Sequence, residues 1–145
     1  MSTLALGYAA AVDAMDGRAF ADLFTDDGEL WVPDLAGDGA PTIRRAGRDQ
    51  LSAIPSGLAR YHATHHAVRR AVYEVSGPTA TGAVTGVAHH LLAAGDGEPG
   101  GVDVIWYLHY VDDYVATDRG WRIGRRVLHL RGVEERRVLR LGPGR

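Results

Sequence analysis

Four long β-type runs fill the second half of the chain, and they limit the possible folds more than any other feature. The runs cover residues 61–76, 79–93, 102–117 and 121–131. The short turn sequences SGPT and TDRG follow the first and third runs, and the longer stretch AGDGEPGG follows the second. Runs of this length joined by such turns predict an antiparallel meander of four strands.

The first half of the chain has helical patterns instead. Residues 2–16 place apolar side chains at helical spacing, and Gly17 is predicted to end this helix. A short second helix is predicted over 18–24. The stretches ELWVPD and TIRRAG predict two short strands on either side of a Gly/Asp/Pro loop at 36–41, and a helix interrupted at Pro55 follows. Helices followed by a meander predict an α+β domain, with helices covering one face of a curved antiparallel sheet.

The length and charge of the chain indicate one domain without affinity for polyanions. We predict a single domain over residues 1–132 and a charged tail over 133–145, for which a short helix is one option. The formal net charge of −2 gives no electrostatic footprint for nucleic acid or an acidic membrane. No apolar run reaches the length of a membrane span, and the start lacks a basic signal-peptide region, so we expect a cytoplasmic protein.

The residue types that are missing exclude several kinds of catalysis. The sequence has no cysteine and no lysine, which excludes thiol nucleophiles, thiolate metal ligands and lysine Schiff bases. None of the serines stands in a G-x-S-x-G sequence. Acid/base chemistry by Asp, Glu, His and Tyr remains, and we expect no cofactor.

The stretch RYHATHHAVRR, residues 60–70, begins the first of the long runs. Alternation along a strand places His65 on a face with small alanines, whereas His66 shares its face with His62. A hairpin turn at Gly77-Pro78 would then place His65 opposite His90, which also lies in a row of small residues. We therefore predict that His65 and His90 face a cavity together. The alternative is that these histidines are structural and tie the sheet to a helix.

A carboxylate at the end of the first predicted helix completes the candidate catalytic set. Asp16 stands just before Gly17 and would suit a general base. Asp13, three residues earlier, is the alternative carboxylate, and a plain solvent-exposed aspartate is the other interpretation of Asp16.

The histidines are also candidates for metal ligands. His62 and His66 have the spacing of a zinc pair on a helix, but on a strand they would lie about 13 Å apart. His65, His90 and one carboxylate could form a facial triad, yet no ligand motif supports it, so we predict no metal.

Aromatic and charged residues of the strands are candidates for substrate contacts. The closing hairpin pairs positions so that Asp112 neighbours Gly124, with Arg126 one step diagonal, which predicts an ion pair between Asp112 and Arg126. A pocket role for either residue is the alternative. Four aromatic side chains are candidates for the pocket wall, although core packing is the plainer interpretation of each: Trp31, Tyr61, Trp106 and Tyr110.

Both faces of the predicted sheet carry apolar side chains. The run over 102–117 alternates apolar residues on its two faces, and the helices can cover only one of them. A large second apolar face is typical of an interface. We therefore predict a homodimer or higher homo-oligomer formed through the sheet.

Three stretches in order resemble the SnoaL-like group of the nuclear transport factor 2 superfamily over about residues 3–130. They are YAAAVDAMDGRAFADLFTDDGELWV, THHAVRRAVYEVSGPTATGAVTGVAHH and HYVDDYVATDRGWRIGRRV. The resemblance implies a cone-shaped α+β fold with a pocket between the helices and a bent sheet. The site pattern is similar to that of scytalone dehydratase, which implies roles for Asp16, His65 and His90. The SnoaL-like pattern favours His66 in place of His65, and this chain has Arg70 where that pattern has an asparagine.

These observations predict a cofactor-independent lyase, isomerase or cyclase. It would dehydrate or close a ring in a small hydrophobic, polyketide- or terpenoid-like substrate, with Asp16, His65 or His66, and His90 transferring protons. One alternative is an epoxide-opening cyclase or hydrolase of the same fold. Another is a non-catalytic binding or assembly module, which predicts that Asp16, His65 and His90 do not converge in a cavity.

Overall fold

The computed structural model describes residues 1–33, 41–95 and 99–144, without the side chains of residues 41 and 42. Nearly all of the predicted loop at 36–41 and the centre of the stretch AGDGEPGG therefore lie outside the described residues. The helices are α1 (Ser2–Asp13), α2 (Gly17–Ala21) and α3 (Gly47–Ser52), and a 3₁₀ turn covers Pro55–Leu58. The strands are β1 (Phe24–Pro33), β2 (Pro41–Ala46), β3 (Ala63–Ser76), β4 (Thr79–Ala93), β5 (Gly101–Thr117) and β6 (Gly120–Val138).

The strands form one six-stranded sheet in the order β2-β1-β6-β5-β4-β3. All neighbouring pairs are antiparallel except β1 and β6, which are parallel. The hairpin turns β3–β4 and β5–β6 use Gly77 and Gly120, whose φ values of 59° and 89° favour glycine. The predicted α+β class, with N-terminal helices against a curved sheet, is confirmed.

The core lies between α1, α2 and the inner face of the sheet. Burial of aromatic and aliphatic side chains provides the main driving force for this packing. From the helical half it contains Leu4, Tyr8, Val12 and Phe20, and from the strands it contains Phe24, Val84, Leu108 and Tyr114. None of the helices in the described residues is long and apolar enough to cross a membrane.

The end of α1 differs from the prediction, and the difference decides which aspartate faces the core. Met15 adopts a left-handed backbone conformation with φ of 55°. The N–H groups of Met15 and Asp16 bond back to the carbonyls of Val12 and Ala11 at 3.1 and 2.9 Å, which closes the helix as a Schellman motif. Asp16 is instead the N-cap of α2, where its carboxylate accepts a hydrogen bond from the Ala19 N–H at 2.9 Å. The helix therefore ends at Asp13, and the prediction that Gly17 ends it is wrong.

A bulge in β3 changes which histidine points inward. The β3–β4 register shifts between Val68 and Arg70, so that Arg69 has no partner on β4. Beyond this bulge Thr64 lies opposite His90 and His65 lies opposite His89. One extra residue reverses the alternation of faces. The predicted pairing of His65 with His90 is therefore wrong by one residue.

The last strand extends well into the predicted tail. β6 continues to Val138 and pairs with β5 as far as Gly101. The optional helix in residues 133–145 is therefore wrong, because the described part of this segment up to residue 138 is strand.

The outer face of the sheet keeps several large apolar side chains exposed. On β5, Tyr107, Val111 and Val115 alternate with residues of the inner face and are 39%, 43% and 36% exposed. On β3, Val72 is 54% exposed. A single chain does not test the homodimer or higher oligomer expected from this face, which stays a prediction.

Candidate active site

A cavity of about 410 Å³ lies between α1, the inner face of the sheet and the segment that contains the 3₁₀ turn. Its wall is mainly apolar, with Val12 from α1, Leu30 and Val32 from β1, and Leu108 and Leu128 from β5 and β6. The polar or amphipathic side chains that line it are Tyr8, Arg45, Arg60, Tyr61, His66, His90, Trp106 and Tyr110. An apolar cavity with a few convergent polar groups is the usual form of a small-molecule site.

Asp13 and His66 form a hydrogen-bonded pair beside this cavity. One Asp13 carboxylate oxygen, Oδ1, accepts a hydrogen bond from His66 Nδ1 at 2.7 Å and one from the Thr64 hydroxyl at 2.9 Å. The other oxygen accepts the backbone N–H of His66 at 2.8 Å. Burial alone would raise the pKa of the Asp13 carboxyl, but the hydrogen bonds from His66 and Thr64 and the charge of His66 lower it overall. Asp13 is therefore an ionised acceptor that fixes the ring of His66.

The second nitrogen of His66 is available for proton transfer. Because Nδ1 donates its hydrogen to Asp13, a neutral His66 ring carries a bare lone pair on Nε2. Nε2 makes no hydrogen bond within the described residues, and His66 lines the cavity. An imidazole held by a carboxylate in this way is the common arrangement of a general base.

His90 is completely buried and lies against His66, with the two ring centroids 5.5 Å apart. Its Nδ1 donates a hydrogen bond to the Val104 carbonyl at 3.1 Å, since a carbonyl can only accept, so its Nε2 is a bare acceptor. That Nε2 is buried without a partner. The pKa of His90 is lowered to about 4, mainly by burial and in smaller part by the charge of His66, although the hydrogen bond to the Val104 carbonyl opposes the shift. His90 is therefore neutral near pH 7, and the lone pair on its Nε2 has no donor within the described residues.

The stability of the protein is expected to fall as the pH drops from about 6.5 to about 4. In this window an unfolded His90 binds a proton that the folded His90 does not, so the unfolded state gains protons and stability decreases. The full effect is roughly 3 kcal/mol, from about 2.5 pKa units at about 1.4 kcal/mol each. Asp13 acts in a separate window, because its lowered pKa removes stability only below its ordinary value of 3.8.

Urea denaturation at a series of pH values between 7 and 4 measures this dependence. The His90→Leu variant should lose most of the slope between pH 6.5 and 4. The exposed His65 supplies the control, and the His65→Gln variant should keep the slope. Equal slopes in wild type and His90→Leu would contradict the assignment of His90 as a buried neutral histidine.

Behind the cavity, Asp112 and Arg126 form a buried bidentate ion pair. Arg126 Nε and Nη2 donate to the two carboxylate oxygens at 2.8 and 2.7 Å, and both side chains are at most 1% exposed. The Tyr114 hydroxyl also donates to Asp112. The predicted ion pair is confirmed, but Asp112 lies directly opposite Arg126 and not diagonal to it.

The guanidinium of Arg126 lies between two phenol rings that border the cavity. Its carbon Cζ is 4.3 Å from the ring centroid of Tyr8 and 4.4 Å from that of Tyr110. Burial raises the pKa of both tyrosines, although the charge of Arg126 opposes the shift. Both phenols therefore stay protonated near neutrality.

Two of the residues predicted for catalysis lie away from the cavity. Asp16 is exposed and caps α2, and His65 is exposed on β3. Within the predicted set, His66 and His90 come together, and the alternative carboxylate Asp13 joins them.

Some of the residues predicted for substrate contact line the cavity, and others lie away from it. Tyr61, Trp106 and Tyr110 line the cavity, and the rings of Tyr61 and Trp106 pack against the His90 ring with centroid distances of 4.8 and 4.4 Å. Trp31 lies on the other face of β1, where it donates to Glu29 and stacks under Arg44, so the prediction that it lines the pocket is wrong. The ion pair of Asp112 and Arg126 lies behind Tyr8 and Tyr110 and supports them.

Sequence reasoning missed four residues of the site. The helical spacing of Tyr8 indicates only that it belongs to the apolar face of the first helix. Thr64 lies between histidines and has no pattern of its own that marks it as a site residue. Arg45 and Arg60 stand in basic stretches that gave no signal of a cavity. Within residues 1–33, 41–95 and 99–144, no group of three or more His, Asp or Glu side chains is placed to hold a metal ion.

The family of the chain follows from a match over most of its length. The sequence profile of the SnoaL-like domain matches residues 2–127. The chain belongs to the SnoaL-like domain family. The resemblance to this group that the sequence predicted is therefore confirmed. No curated protein sequence matches this SnoaL-like chain significantly.

Three solved structures show how widely the fold of this SnoaL-like chain is shared. A Mycobacterium tuberculosis protein of unknown function is 29% identical, with a TM-score of 0.69 over 88% of this chain and 67% of that one. A Novosphingobium aromaticivorans protein named as a candidate scytalone dehydratase is 22% identical, with a TM-score of 0.74 over 99% and 92%. Hexachlorocyclohexane dehydrochlorinase LinA-type3 from Novosphingobium barchaimii is 17% identical, with a TM-score of 0.77 over 98% and 91%. The similarity to the last two structures, at 22% and 17% identity, shows only that they share the fold of this chain.

Proposed function

We propose that this SnoaL-like protein is a cofactor-independent acid/base enzyme, a lyase or an isomerase, that removes a proton from carbon in an apolar substrate. The observation that carries this proposal is the Asp13–His66 pair, because His66 lines an apolar cavity and keeps one imidazole nitrogen without a hydrogen bond within the described residues. A carboxylate that holds an imidazole stabilises the imidazolium formed when the ring takes a proton. The pair therefore has the parts of a general base that works near neutral pH.

In the proposed first step, His66 Nε2 accepts a proton from a carbon next to a carbonyl or another electron-withdrawing group. The C–H electron pair moves into that group, and the imidazolium is stabilised by ionised Asp13 at 2.7 Å from Nδ1. In a lyase reaction the electrons then expel a leaving group, which takes up the proton. In an isomerase or cyclase reaction the proton returns to a different atom, or the carbanion attacks within the same molecule.

The negative charge that develops on the substrate oxygen needs a donor, and Tyr61 is suited to this role. Its hydroxyl accepts a hydrogen bond from Arg60 Nη2 at 2.6 Å, which leaves its own hydrogen free for the substrate. Tyr61 also packs against His90 and lines the cavity. A preorganised donor at a developing oxyanion contributes strongly to catalysis.

His90 is proposed to position the substrate and not to donate a proton. Its pKa of about 4 keeps it neutral near pH 7, and its buried Nε2 has no partner in the protein. A bare acceptor in an apolar wall favours a substrate hydroxyl that can donate to it.

The finer class of reaction is supported by the neighbours and by the cavity. Two structural neighbours carry the names of elimination enzymes, a dehydratase and a dehydrochlorinase. The apolar wall suits a small hydrophobic substrate. We propose dehydration or ring closure of a polyketide- or terpenoid-like molecule as the reaction of this chain.

The alternatives from the sequence fit the site less well. Opening an epoxide requires a protonated acid in the resting site; Asp13 has a lowered pKa and His90 is neutral, so this role would fall to a protonated His66 alone. A non-catalytic binding module predicted that Asp16, His65 and His90 do not converge. Those three do not converge, but the set Asp13, His66 and His90 does.

Deuterium exchange tests proton abstraction before the native substrate is identified. The wild-type protein is incubated in D₂O with a panel of apolar β-hydroxy ketones and phenolic ketones, and the products are followed by mass spectrometry. We expect deuterium next to the carbonyl, or loss of water, faster than in buffer for at least one compound. Binding of panel members without exchange or elimination would favour the binding module and contradict the proposed enzyme.

A further inference from the structure

The mouth of the cavity carries two arginines, neither of which transfers a proton in the proposed reaction. Arg45 and Arg60 line the cavity, and both are exposed to solvent. Among the described residues that line the cavity, Arg45 and Arg60 are the permanently charged side chains, and none of these lining residues is Asp or Glu. The rim of an otherwise apolar cavity is therefore cationic.

These two guanidinium groups have no carboxylate partner within the described residues. Other arginines of the chain do, including Arg44 with Glu29, Arg48 with Asp22 and Arg125 with Asp113. Arg45 donates to a backbone carbonyl at 3.0 Å, and Arg60 donates to the Tyr61 hydroxyl. Each guanidinium has five N–H donors, so most of them are free for a ligand.

The local structure directs both side chains to the cavity. On β2, Arg45 pairs with Leu30 and shares a face with Ile43, and both of those apolar residues line the cavity. Arg60 follows the 3₁₀ turn, and its guanidinium lies 4.7 Å from the ring centroid of Tyr61. Tyr61 in turn contacts His90, so a chain of contacts leads from the rim to the inner wall.

We propose that the substrate of this enzyme carries an anionic oxygen group, which binds Arg45 and Arg60 at the mouth while its apolar body extends inward to His66. Bidentate binding of carboxylate or phosphate is the interaction for which guanidinium groups are best suited. The anion could be the carboxylate of a free acid or the phosphate of an ester. This inference rests on the cavity of the proposed function and adds the chemical class of its ligand.

The test compares three ligands that share one apolar ring system: 2-naphthoate, 2-naphthyl phosphate and the neutral 2-naphthamide. Calorimetry gives the dissociation constant of each for wild type and for the variants Arg45→Gln, Arg60→Gln and Arg44→Gln. In wild type we expect the better of the two anions to bind at least several-fold more tightly than the amide. The preferred anion identifies the source of the charge.

Each replacement at the mouth should reduce the preference for the anion by roughly three- to tenfold, the range expected for a solvent-accessible charged hydrogen bond. The Arg44→Gln control should leave it unchanged, because Arg44 lies on the other face of β2 beside Trp31 and Glu29. Raising the salt concentration should weaken anion binding to wild type and leave amide binding unchanged. The salt series uses wild type alone, so it tests for electrostatic binding of the anion even where a variant fails to fold.

Three results would overturn the inference: equal binding of anions and amide, no binding of either anion at millimolar concentration, or an equal loss in Arg44→Gln. The binding assay is also run on the Asp13→Asn variant, which should keep the anion preference because Asp13 does not line the mouth of the cavity. If the wild type prefers the anion but shows no proton exchange, the proposed catalysis is rejected and the anion-binding site is retained.

Discussion

Replacing Asp13 with asparagine is expected to lower the rate of proton abstraction by roughly 10²- to 10⁴-fold, the usual contribution of a positioned general base. The amide cannot stabilise an imidazolium at His66, and its NH₂ group can donate to Nδ1 and favour the wrong tautomer of the ring. The effect should fall on kcat more than on KM, because the apolar wall of the cavity is unchanged. Initial rates of deuterium exchange measure it with whichever compound the panel identifies.

Matched variants separate this arrangement from the one expected from the sequence alone. Asp16→Asn keeps the cap of α2, since asparagine caps helices as well as aspartate does, and should leave the rate unchanged. His66→Ala should abolish exchange, whereas His65→Ala at the neighbouring exposed position should not. A loss of activity in Asp16→Asn or His65→Ala, with normal activity in Asp13→Asn, would reverse the assignment.

Removing Asp112 is expected to lower the free energy of unfolding by about 3–5 kcal/mol, because Arg126 is then left buried without its counter-ion. The two phenol rings that pack on Arg126 carry no negative charge that could replace the carboxylate. Urea denaturation of Asp112→Ala at pH 7 measures the loss. The positions of Tyr8 and Tyr110 depend on the same group, so the cavity should also bind its ligands more weakly.

The neighbouring residue provides a control for this prediction. Asp113 pairs with Arg125 at the surface, where both side chains are nearly half exposed, and Asp113→Ala should cost at most about 1 kcal/mol. The double variant Asp112→Leu/Arg126→Met removes both buried charges and should recover much of the lost stability. Equal losses in Asp112→Ala and Asp113→Ala would contradict the stabilising role of the buried pair.

The order of the elements could be predicted from the sequence because it depends on patterns that extend over many residues. The four β-type runs became β3 to β6, and the hairpin turns formed at Gly77 and Gly120. The ion pair between Asp112 and Arg126 was also predictable, although the register at the turn and the shift between Asp113 and Tyr114 place the partners directly opposite each other. A salt bridge tolerates such a shift, because long side chains reach diagonal as well as opposite partners.

The inward face of the histidine strand could not be predicted, because it depends on a single residue. The bulge at Arg69 reverses the alternation of β3, and nothing in the local pattern marks Arg69 as unpaired. The position of Asp16 could not be predicted either, because it depends on the backbone of Met15. Met15 adopts the left-handed conformation that ends α1, which a residue other than glycine rarely adopts. Both errors displaced the candidate site by one to three residues and left its chemistry of one aspartate and two histidines intact.

The most direct test of the central claim is the tautomer of His66 at neutral pH. Proton abstraction by His66 requires Asp13 to hold a hydrogen on Nδ1 and to leave Nε2 bare. Nitrogen-15 NMR of the histidine rings distinguishes the two tautomers of each ring directly. We predict the Nδ1–H form for both His66 and His90 in wild type, and a change at His66 alone in Asp13→Asn. An Nε2–H form of His66 in wild type would contradict the account, because that nitrogen could then not accept a proton from the substrate.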